Sequence, residues 1–162
     1  MNFKLIIGLG NPGKEYANSY HNIGHLAVDY FSKTLNSIFY ILNSNVYMNN
    51  SGSFIVKSLK KFTAKPEELL IIHDDSDIEI GKYKLSFGRG SAGHKGIESI
   101  IKTLGSKNFW RLRIGIRPIN QINRHKRTKA GDFVLKKINI TDKVILNALL
   151  AQIQEALLIN KQ

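Results

Sequence analysis

The chain has 162 residues, 43% of them apolar, and a formal net charge of +12. This is the size of one globular domain with enough apolar residues for a core, so we predict a single domain over residues 1–162. Because the sequence contains no cysteine, disulfide bonds and thiolate metal sites are excluded.

The first third of the chain alternates strand-like and helix-like patterns. Residues 3–9 (FKLIIGL) are a near-continuous apolar run that ends in glycines, which predicts a buried strand. Apolar residues at helical spacing predict a first helix over residues 22–34. Residues 36–47 show little pattern and are expected to hold one short strand at most.

The middle of the chain repeats this alternation. Ser51 is the predicted N-cap of a second helix, which the Lys65-Pro66 pair ends. Residues 69–73 form a second apolar run, and the acidic segment HDDSD begins at its last residue. Residues 82–87 are a further predicted strand, followed by the glycine-rich loop GRGSAG.

The last third begins with a helix that His94 opens. In residues 110–117 isoleucine and leucine alternate with arginine, which predicts a strand with an apolar and a basic face. Residues 120–131 form a predicted basic loop. Residues 132–135 are a predicted last short strand, and Thr141 is the predicted N-cap of the final helix.

Strands alternating with helices predict an α/β fold: a three-layer sandwich with a central mixed, largely parallel sheet flanked by helices. In such sheets the ligand crevice lies beyond the carboxyl ends of the strands. The polar segments GNPGKEYANSYHN and HDDSD both come at the ends of predicted strands. We therefore expect them to meet at this edge.

Charge is distributed very unevenly along the sequence. Residues 1–81 contain 7 basic and 8 acidic residues, whereas residues 82–162 contain 17 and 4. Between residues 82 and 129 the only acidic residue is Glu98. This pattern is typical of a protein that binds a polyanion such as a nucleic acid, although a generally basic soluble protein would also fit. No apolar run is long enough for a membrane span and the first residues lack signal-peptide features, so we expect a cytoplasmic protein.

The segment GLGNPG has the glycine spacing of a dinucleotide-binding loop. In that motif a helix begins within the loop, so that its amides meet the pyrophosphate. Here Pro12 and a polar run delay the helix by about nine residues. A nicotinamide or flavin enzyme is therefore disfavoured, and we expect no cofactor.

The polar run offers His21, and an imidazole is a suitable general base near neutral pH. Such a base needs a carboxylate to fix its tautomer, for which Asp74, Asp75 and Asp77 are candidates. The chain has no GxSxG motif and no cysteine, so an activated water is the better candidate nucleophile. From chemistry alone, a structural histidine at a helix start fits His21 equally well. The acidic run also suggests a magnesium site, but few other acids could complete it. We therefore predict no metal and a solvated turn for Asp75 and Glu79.

Several segments resemble those of bacterial peptidyl-tRNA hydrolases. The opening IIGLGNPGKEYANSYHN is similar to the family's GLGNPG, Y and RHN pattern, and YMNNSG, HDDSDIEIGKYKL, GRGSAGHKGIESII, LRIGIRP and GDFVL match its later motifs in order. The resemblance covers most of the chain. It implies a metal-free and cofactor-free esterase that hydrolyses the bond between peptide and tRNA in prematurely released peptidyl-tRNA.

The resemblance also implies roles for individual residues. His21 matches the catalytic base, Asp74 the carboxylate that orients it, Asn11 the residue that senses the acylated amino group, and Asn49 the residue that positions the ester or water. The expected substrate contacts, which include aromatic and basic side chains, are Tyr16, Tyr47, Asn49, His94, Lys95, Lys84 and Arg113. The expected partner is peptidyl-tRNA, bound by a monomer.

The sequence departs from the family pattern in three places. Lys95 replaces the usual asparagine, and Tyr20 stands where arginine is common. The stretch over residues 36–46 and the C-terminus are short, which suggests a trimmed sheet edge and an abbreviated lid helix. A non-catalytic RNA-binding protein on the same fold is the alternative, although such a protein has no need to keep His21 and Asp74.

Overall fold

The computed structural model describes residues 2–119 and 129–159, and these residues fold around one five-stranded sheet. Its strands have the spatial order β2-β1-β3-β5-β4. Strand β4 is antiparallel to β5, while the other neighbouring pairs are parallel. The strands are β1 (Leu5–Gly8), β2 (Tyr40–Asn43), β3 (Leu69–Glu79), β4 (Tyr83–Phe87) and β5 (Trp110–Arg117).

Helices cover both faces of the sheet, as the sequence predicted for a three-layer sandwich. The helices are α1 (Ile23–Leu35), α2 (Ser51–Lys61), α3 (Lys95–Leu104) and α4 (Ile140–Ile159). One apolar cluster joins α1 and α4 to even-numbered residues of the central strands, such as Ile6, Leu70 and Ile114. The other joins α2 and α3 to odd-numbered residues, such as Ile7 and Ile71. This division follows from the alternation of side chains along a strand.

Strand β3 is much longer than predicted, and the acidic segment lies inside it rather than after it. Its residues 70–75 pair with β5, and the register shifts between Asp75 and Glu79. By contrast, β1 ends at Gly8, which pairs with Ile72. The second half of β3 therefore continues past the end of β1, and no β1 residue flanks it there.

Three local predictions were wrong. Ser51 is the first residue of α2, and its buried hydroxyl has no hydrogen-bond partner in the part of the chain that the structure describes, so it does not cap the helix. Thr141 does not cap α4 either, because the side chain of Asn139 accepts the hydrogen bond from the Asp142 amide at 2.8 Å. Residues 132–135 form no strand: a 3-10 helix, Ala130–Asp132, ends there and a turn follows.

The predicted basic loop over residues 120–131 falls mostly outside the described residues. Within the two described ranges, no helix has both the length and the apolar character needed to cross a membrane.

Candidate active site

A close approach between two glycines positions the start of α1 at the end of β1. A Cβ atom on Gly8 would lie 2.2 Å from the carbonyl oxygen of Gly24, and one on Gly24 would lie 2.4 Å from the carbonyl oxygens of Leu9 and Ile72. No larger residue fits at either position without displacing backbone. The helix start, and with it His21, is therefore held against the carboxyl end of β1 and the middle of β3.

Two imidazoles converge on one carboxylate oxygen beyond the end of β1. The Nδ1 atom of His21 lies 2.8 Å from Oδ1 of Asp74, and the Nε2 atom of His94 lies 2.9 Å from the same oxygen. His21 comes from the start of α1 and His94 from the start of α3, on opposite faces of the sheet. They meet because β1 does not extend far enough to separate the two layers.

Hydrogen bonds determine which nitrogen of each ring carries a proton. The amide of Ile97 donates to Nδ1 of His94 at 3.3 Å, so that nitrogen is bare and Nε2–H donates to Asp74. The Nδ1–H of His21 likewise donates to the carboxylate. In neutral His21 the bare nitrogen is then Nε2, the atom turned away from Asp74.

Burial and hydrogen bonding tune the groups around this carboxylate. Burial alone would raise the pKa of Asp74, but His94 and His21 outweigh it and hold that pKa well below its usual range. Burial, reinforced by His94, lowers the pKa of His73 well below its usual range. His73 is thus neutral at pH 7, and its Nδ1–H donates to the Asp74 carbonyl at 2.6 Å. The Asp74 side chain thus remains an anion that accepts hydrogen bonds from two histidines at one oxygen.

Asn11 is held beside this centre by its neighbours. Asn22, which follows His21, accepts from the Asn11 amide and donates to the Asn11 carbonyl, both at 2.9 Å. The amide of Met48 donates to Oδ1 of Asn11 at 3.0 Å. Because an amide donor requires an oxygen there, Nδ2 of Asn11 is the group left to contact a ligand.

Two tyrosines and one asparagine are connected to Asn11 through Met48, which lies between Tyr47 and Asn49 in the chain. The rings of Tyr16 and Tyr47 pack edge to face with centroids 6.4 Å apart, and Tyr47 is 54% exposed. Asn49 is exposed in the 3-10 helix that follows Tyr47, and its carbonyl accepts from the Ser99 hydroxyl at 2.7 Å. We call Asn11 and these three residues the rim: they are connected through Met48, and they are not among the residues that line the cleft.

The other side of the site is basic. Arg113 Nε donates to Oδ2 of Asp75 at 2.7 Å, and Lys84 lies opposite Arg113 on β4. Asp75 is buried in this pair, which corrects the expectation of a solvated acidic turn, although its other oxygen accepts from the Asp77 amide as such a turn would. Lys95 is exposed at the start of α3 and lies 3.3 Å from Glu98.

Arg111 lies buried beneath the glycine-rich loop. Its guanidinium donates to the carbonyl of Gly90 at 2.8 Å. Burial, with Arg113 adding to the effect, lowers the pKa of Arg111 to about 10, so it stays charged near neutral pH. It thereby ties the loop before His94 to β5.

A cleft of about 330 Å³ is lined by His21, Asp74, His94, Arg111 and Arg113, among others. His21, Asp74 and His94 also offer ligand atoms within 4.8 Å of one another, the spacing of a possible metal site within the described residues. In this geometry, however, each imidazole nitrogen that faces the centre is engaged by a hydrogen bond to Asp74. The arrangement is suited to withdrawing a proton from a water molecule that contacts Nε2 of His21.

The structure brings most of the predicted residues to one edge of the sheet. His21, Asp74, His94, Lys95 and Arg113 line the cleft, Asn11, Tyr16, Tyr47 and Asn49 form the rim, and Lys84 lies on β4 beside Arg113. Sequence reasoning gave no role to Asn22, His73 or Arg111. Only Asn22 had a signal, since it follows the candidate base directly at a predicted helix start.

Comparisons with known proteins agree with one another, and their matches extend over nearly the whole chain. The family model described as Peptidyl-tRNA hydrolase matches residues 5–161. A peptidyl-tRNA hydrolase of Sulfurihydrogenibium sp. is 37% identical, with 96% of this chain and 89% of that protein covered. One from Metamycoplasma arthritidis is 38% identical, with 95% and 89% covered. The crystal structure of peptidyl-tRNA hydrolase from Acinetobacter baumannii superposes with a TM-score of 0.81 at 29% identity, covering 95% of this chain and 86% of that one.

Proposed function

Since the chain belongs to the peptidyl-tRNA hydrolase family, we propose that His21 is the general base with which it hydrolyses its substrate. The enzyme acts on peptidyl-tRNA and cleaves the ester between the peptide and the terminal ribose. Nε2 of His21 takes a proton from water, and the water oxygen attacks the ester carbonyl. The carbon–oxygen bond to the ribose then breaks, and the ribose oxygen leaves with a proton, so the products are a free peptide and a tRNA.

The observation that best supports this role is the 2.8 Å hydrogen bond between His21 Nδ1 and the buried carboxylate of Asp74. It directs the lone pair of His21 away from Asp74, and the carboxylate stabilises the imidazolium formed during proton transfer. A buried anion costs free energy unless its partners compensate for lost hydration. A protein that only binds RNA gains nothing from this arrangement, so it favours catalysis over the RNA-binding alternative.

We assign the recognition of acylated substrate to Asn11. Its Oδ1 accepts from Met48, so the amide presents Nδ2–H toward the ligand. The acyl carbonyl of a peptidyl group accepts a hydrogen bond, whereas the ammonium group of a free aminoacyl-tRNA only donates. A fixed donor at this point therefore favours the acylated substrate and disfavours the free amine.

Asn49 and the tyrosine pair are assigned to the peptide and the terminal nucleotide. Asn49 is proposed to position the ester or the water through its exposed amide, and Tyr16 and Tyr47 offer aromatic faces and edges for stacking. All of them lie on the rim, where a substrate that spans the cleft would touch them.

The basic side chains next to the cleft are assigned to tRNA phosphates. Arg113 is oriented by Asp75, while Lys84 and Lys95 are exposed, so each can approach the backbone of a bound tRNA. His94 contacts the substrate from the cleft wall while its Nε2–H stays on Asp74. We also propose that the enzyme works as a monomer in the cytoplasm, where peptidyl-tRNA is formed.

The test compares an N-acetylated aminoacyl-tRNA with the same aminoacyl-tRNA left unacetylated. Wild-type protein is expected to deacylate the acetylated form selectively, and His21→Ala to lose this activity while keeping its fold by circular dichroism. Salt-sensitive tRNA binding without any deacylation would favour the RNA-binding alternative. Equal cleavage of both substrates would remove the role given to Asn11.

Asn49 has a matched control in its neighbour. Asn50 is exposed in the same turn, and among the described residues only its main chain makes hydrogen bonds. Asn49→Ala should lower activity on the acetylated substrate, and Asn50→Ala should leave it near wild type. Equal effects of the two changes would indicate a contribution of the turn and not of the Asn49 side chain.

A further inference from the structure

The backbone that carries His21 is held by a segment more than 110 residues later in the chain. The amide of His21 donates to the Val134 carbonyl at 2.7 Å, and the amide of Tyr20 donates to the Lys136 carbonyl at 3.1 Å. In return the amide of Ile138 donates to the Asn18 carbonyl at 2.8 Å. Segment 134–138 therefore supports His21 from the main chain, and Val134 also lines the cleft.

Two residues just after this supporting segment, Asn139 and Asp142, form hydrogen bonds with the side chain of Tyr20. The Tyr20 hydroxyl lies 2.5 Å from Oδ2 of Asp142, in the first turn of α4. Asn139 donates to the same carboxylate oxygen at 2.9 Å and to the Tyr20 oxygen at 3.3 Å. The phenol is thus linked to the helix start that immediately follows segment 134–138.

The Tyr20 ring is almost fully buried and packs edge to face on Phe133, with centroids 6.3 Å apart. Burial, with the Asp142 carboxylate adding to the effect, raises the pKa of Tyr20 to about 12. The phenol consequently remains a protonated donor throughout the neutral range. A hydrogen bond from a buried phenol to a carboxylate is among the stronger ones in proteins.

These contacts link Tyr20 to the start of α4, and segment 134–138 links the start of α4 back to His21. We therefore infer that Tyr20 is a positioning residue for hydrolysis. Its hydroxyl fastens the start of α4 to the segment before His21, and segment 134–138 between them then holds the His21 main chain at a fixed distance from Asp74. The inference rests on the proposed role of His21 as base. It adds a set of contacts that hold the main chain of His21 and are separate from the proposed substrate contacts.

Tyr20→Phe is the direct test, because phenylalanine keeps the ring contact with Phe133 and removes only the hydroxyl. With N-acetylated aminoacyl-tRNA as the substrate, we expect kcat to fall on the order of tenfold with KM within about twofold, since a small displacement of a base costs rate before it costs binding. Amide hydrogen exchange of Tyr20 and His21 should become faster in the variant. Both effects report on the main chain that carries the base.

A double-mutant cycle separates this link from general destabilisation. Tyr20→Phe and Asp142→Ala break the same contact, so the double variant should be no slower than the slower single variant. Ile153→Val is the matched control: it lowers stability from the buried face of α4 without touching the link. Its kcat, measured well below its melting temperature, should equal that of the wild type.

Three results would overturn the inference. These are a Tyr20→Phe kcat equal to that of the Ile153→Val control, losses of Tyr20→Phe and Asp142→Ala that multiply in the double variant, or a change confined to KM. Measuring His21→Ala in the same series distinguishes the proposed role of His21 from the proposed role of Tyr20. Full activity of His21→Ala contradicts the role of the base and this inference with it, whereas an inactive His21→Ala beside a fully active Tyr20→Phe contradicts the positioning role alone.

Discussion

The proposed reaction centre and the proposed recognition rim of this enzyme are built differently. The side chains of His21, Asp74 and His94 are 14%, 4% and 9% exposed, and each has a defined hydrogen-bond partner in the protein. By contrast, Tyr47 on the rim is 54% exposed, and the side chain of the cleft residue Lys95 is 69% exposed and pairs with Glu98. The centre is thus ordered by the protein, whereas these exposed side chains leave most of their contacts to the substrate.

This difference has a physical reason. Proton transfer requires the base to be placed within a fraction of an ångström, and ordering it before the substrate arrives removes that cost from the reaction. A tRNA backbone presents many similar phosphates, so long flexible cations can meet it in several ways. We therefore expect substitutions in the centre to lower kcat, and substitutions on the rim to change KM and its dependence on salt.

The largest effect is expected for His21→Ala. General-base catalysis contributes about 10²–10⁴ in rate, so kcat should fall by this factor while KM stays close to wild type. Single-turnover deacylation of N-acetylated aminoacyl-tRNA at saturating enzyme measures it. A raised KM with unchanged kcat would show that His21 contributes to substrate binding and not to catalysis, which would contradict this comparison.

Asp74→Asn should come next, with a loss on the order of 10²–10³ in kcat, because an amide stabilises the His21 imidazolium less well than a carboxylate does. The change also has a signature in stability. The pKa of Asp74 is held below its usual range in the folded state, so its stabilising contribution is present above the unfolded pKa of about 3.9 and is lost as the pH falls below it.

The difference in unfolding free energy between wild type and Asp74→Asn should accordingly shrink as the pH is lowered from 5 toward 2. Urea titrations at each pH measure this difference. A gap that stays constant across that range would show that the Asp74 charge does not contribute to folding.

His94→Ala should have an intermediate effect on kcat and should also lower stability, because His94 contacts the carboxylate of Asp74 and caps a helix. Its Nε2–H bonds to Asp74 and its Nδ1 caps α3. We expect kcat to fall about tenfold, as for a lost hydrogen bond to a charged group. Losing the cap should lower the free energy of unfolding by about 1 kcal/mol. Unchanged stability in a thermal melt would argue against the capping contact.

The smallest effect is expected for Lys84→Ala, on β4 beside Arg113. It should leave kcat unchanged, raise KM a fewfold, and lower the slope of log affinity against log salt by about one. Lys60→Ala, a lysine exposed on α2, is the matched control for loss of one charge. If the two variants have the same salt slope, Lys84 contributes no specific phosphate contact.

Sequence reasoning anticipated much of the fold and part of the site. The predicted bounds of α1 and β5 lie within a residue of those observed, because both segments have a strong apolar period. It also anticipated that the segments with His21 and Asp74 would meet, although it expected Asp74 after its strand and the structure has Asp74 inside β3. It was wrong about the extent of β3 and about Ser51 and Thr141 as helix caps. A polar residue in the sequence does not show whether it will pair with a neighbouring strand or accept a hydrogen bond from a helix amide.

By itself, the sequence determined the alternation of strands and helices, the concentration of positive charge after residue 82, and the ordered motifs of the family. Only the tertiary structure decided that His94 shares an oxygen of Asp74 with His21, that Asp75 neutralises Arg113, and that Tyr20 reaches Asp142 across 122 residues. Periodicity and composition are properties of neighbours along the chain. Hydrogen bonds between distant side chains depend on how the layers pack, and here they depend on a β1 strand that ends early enough for both histidines to reach one carboxylate.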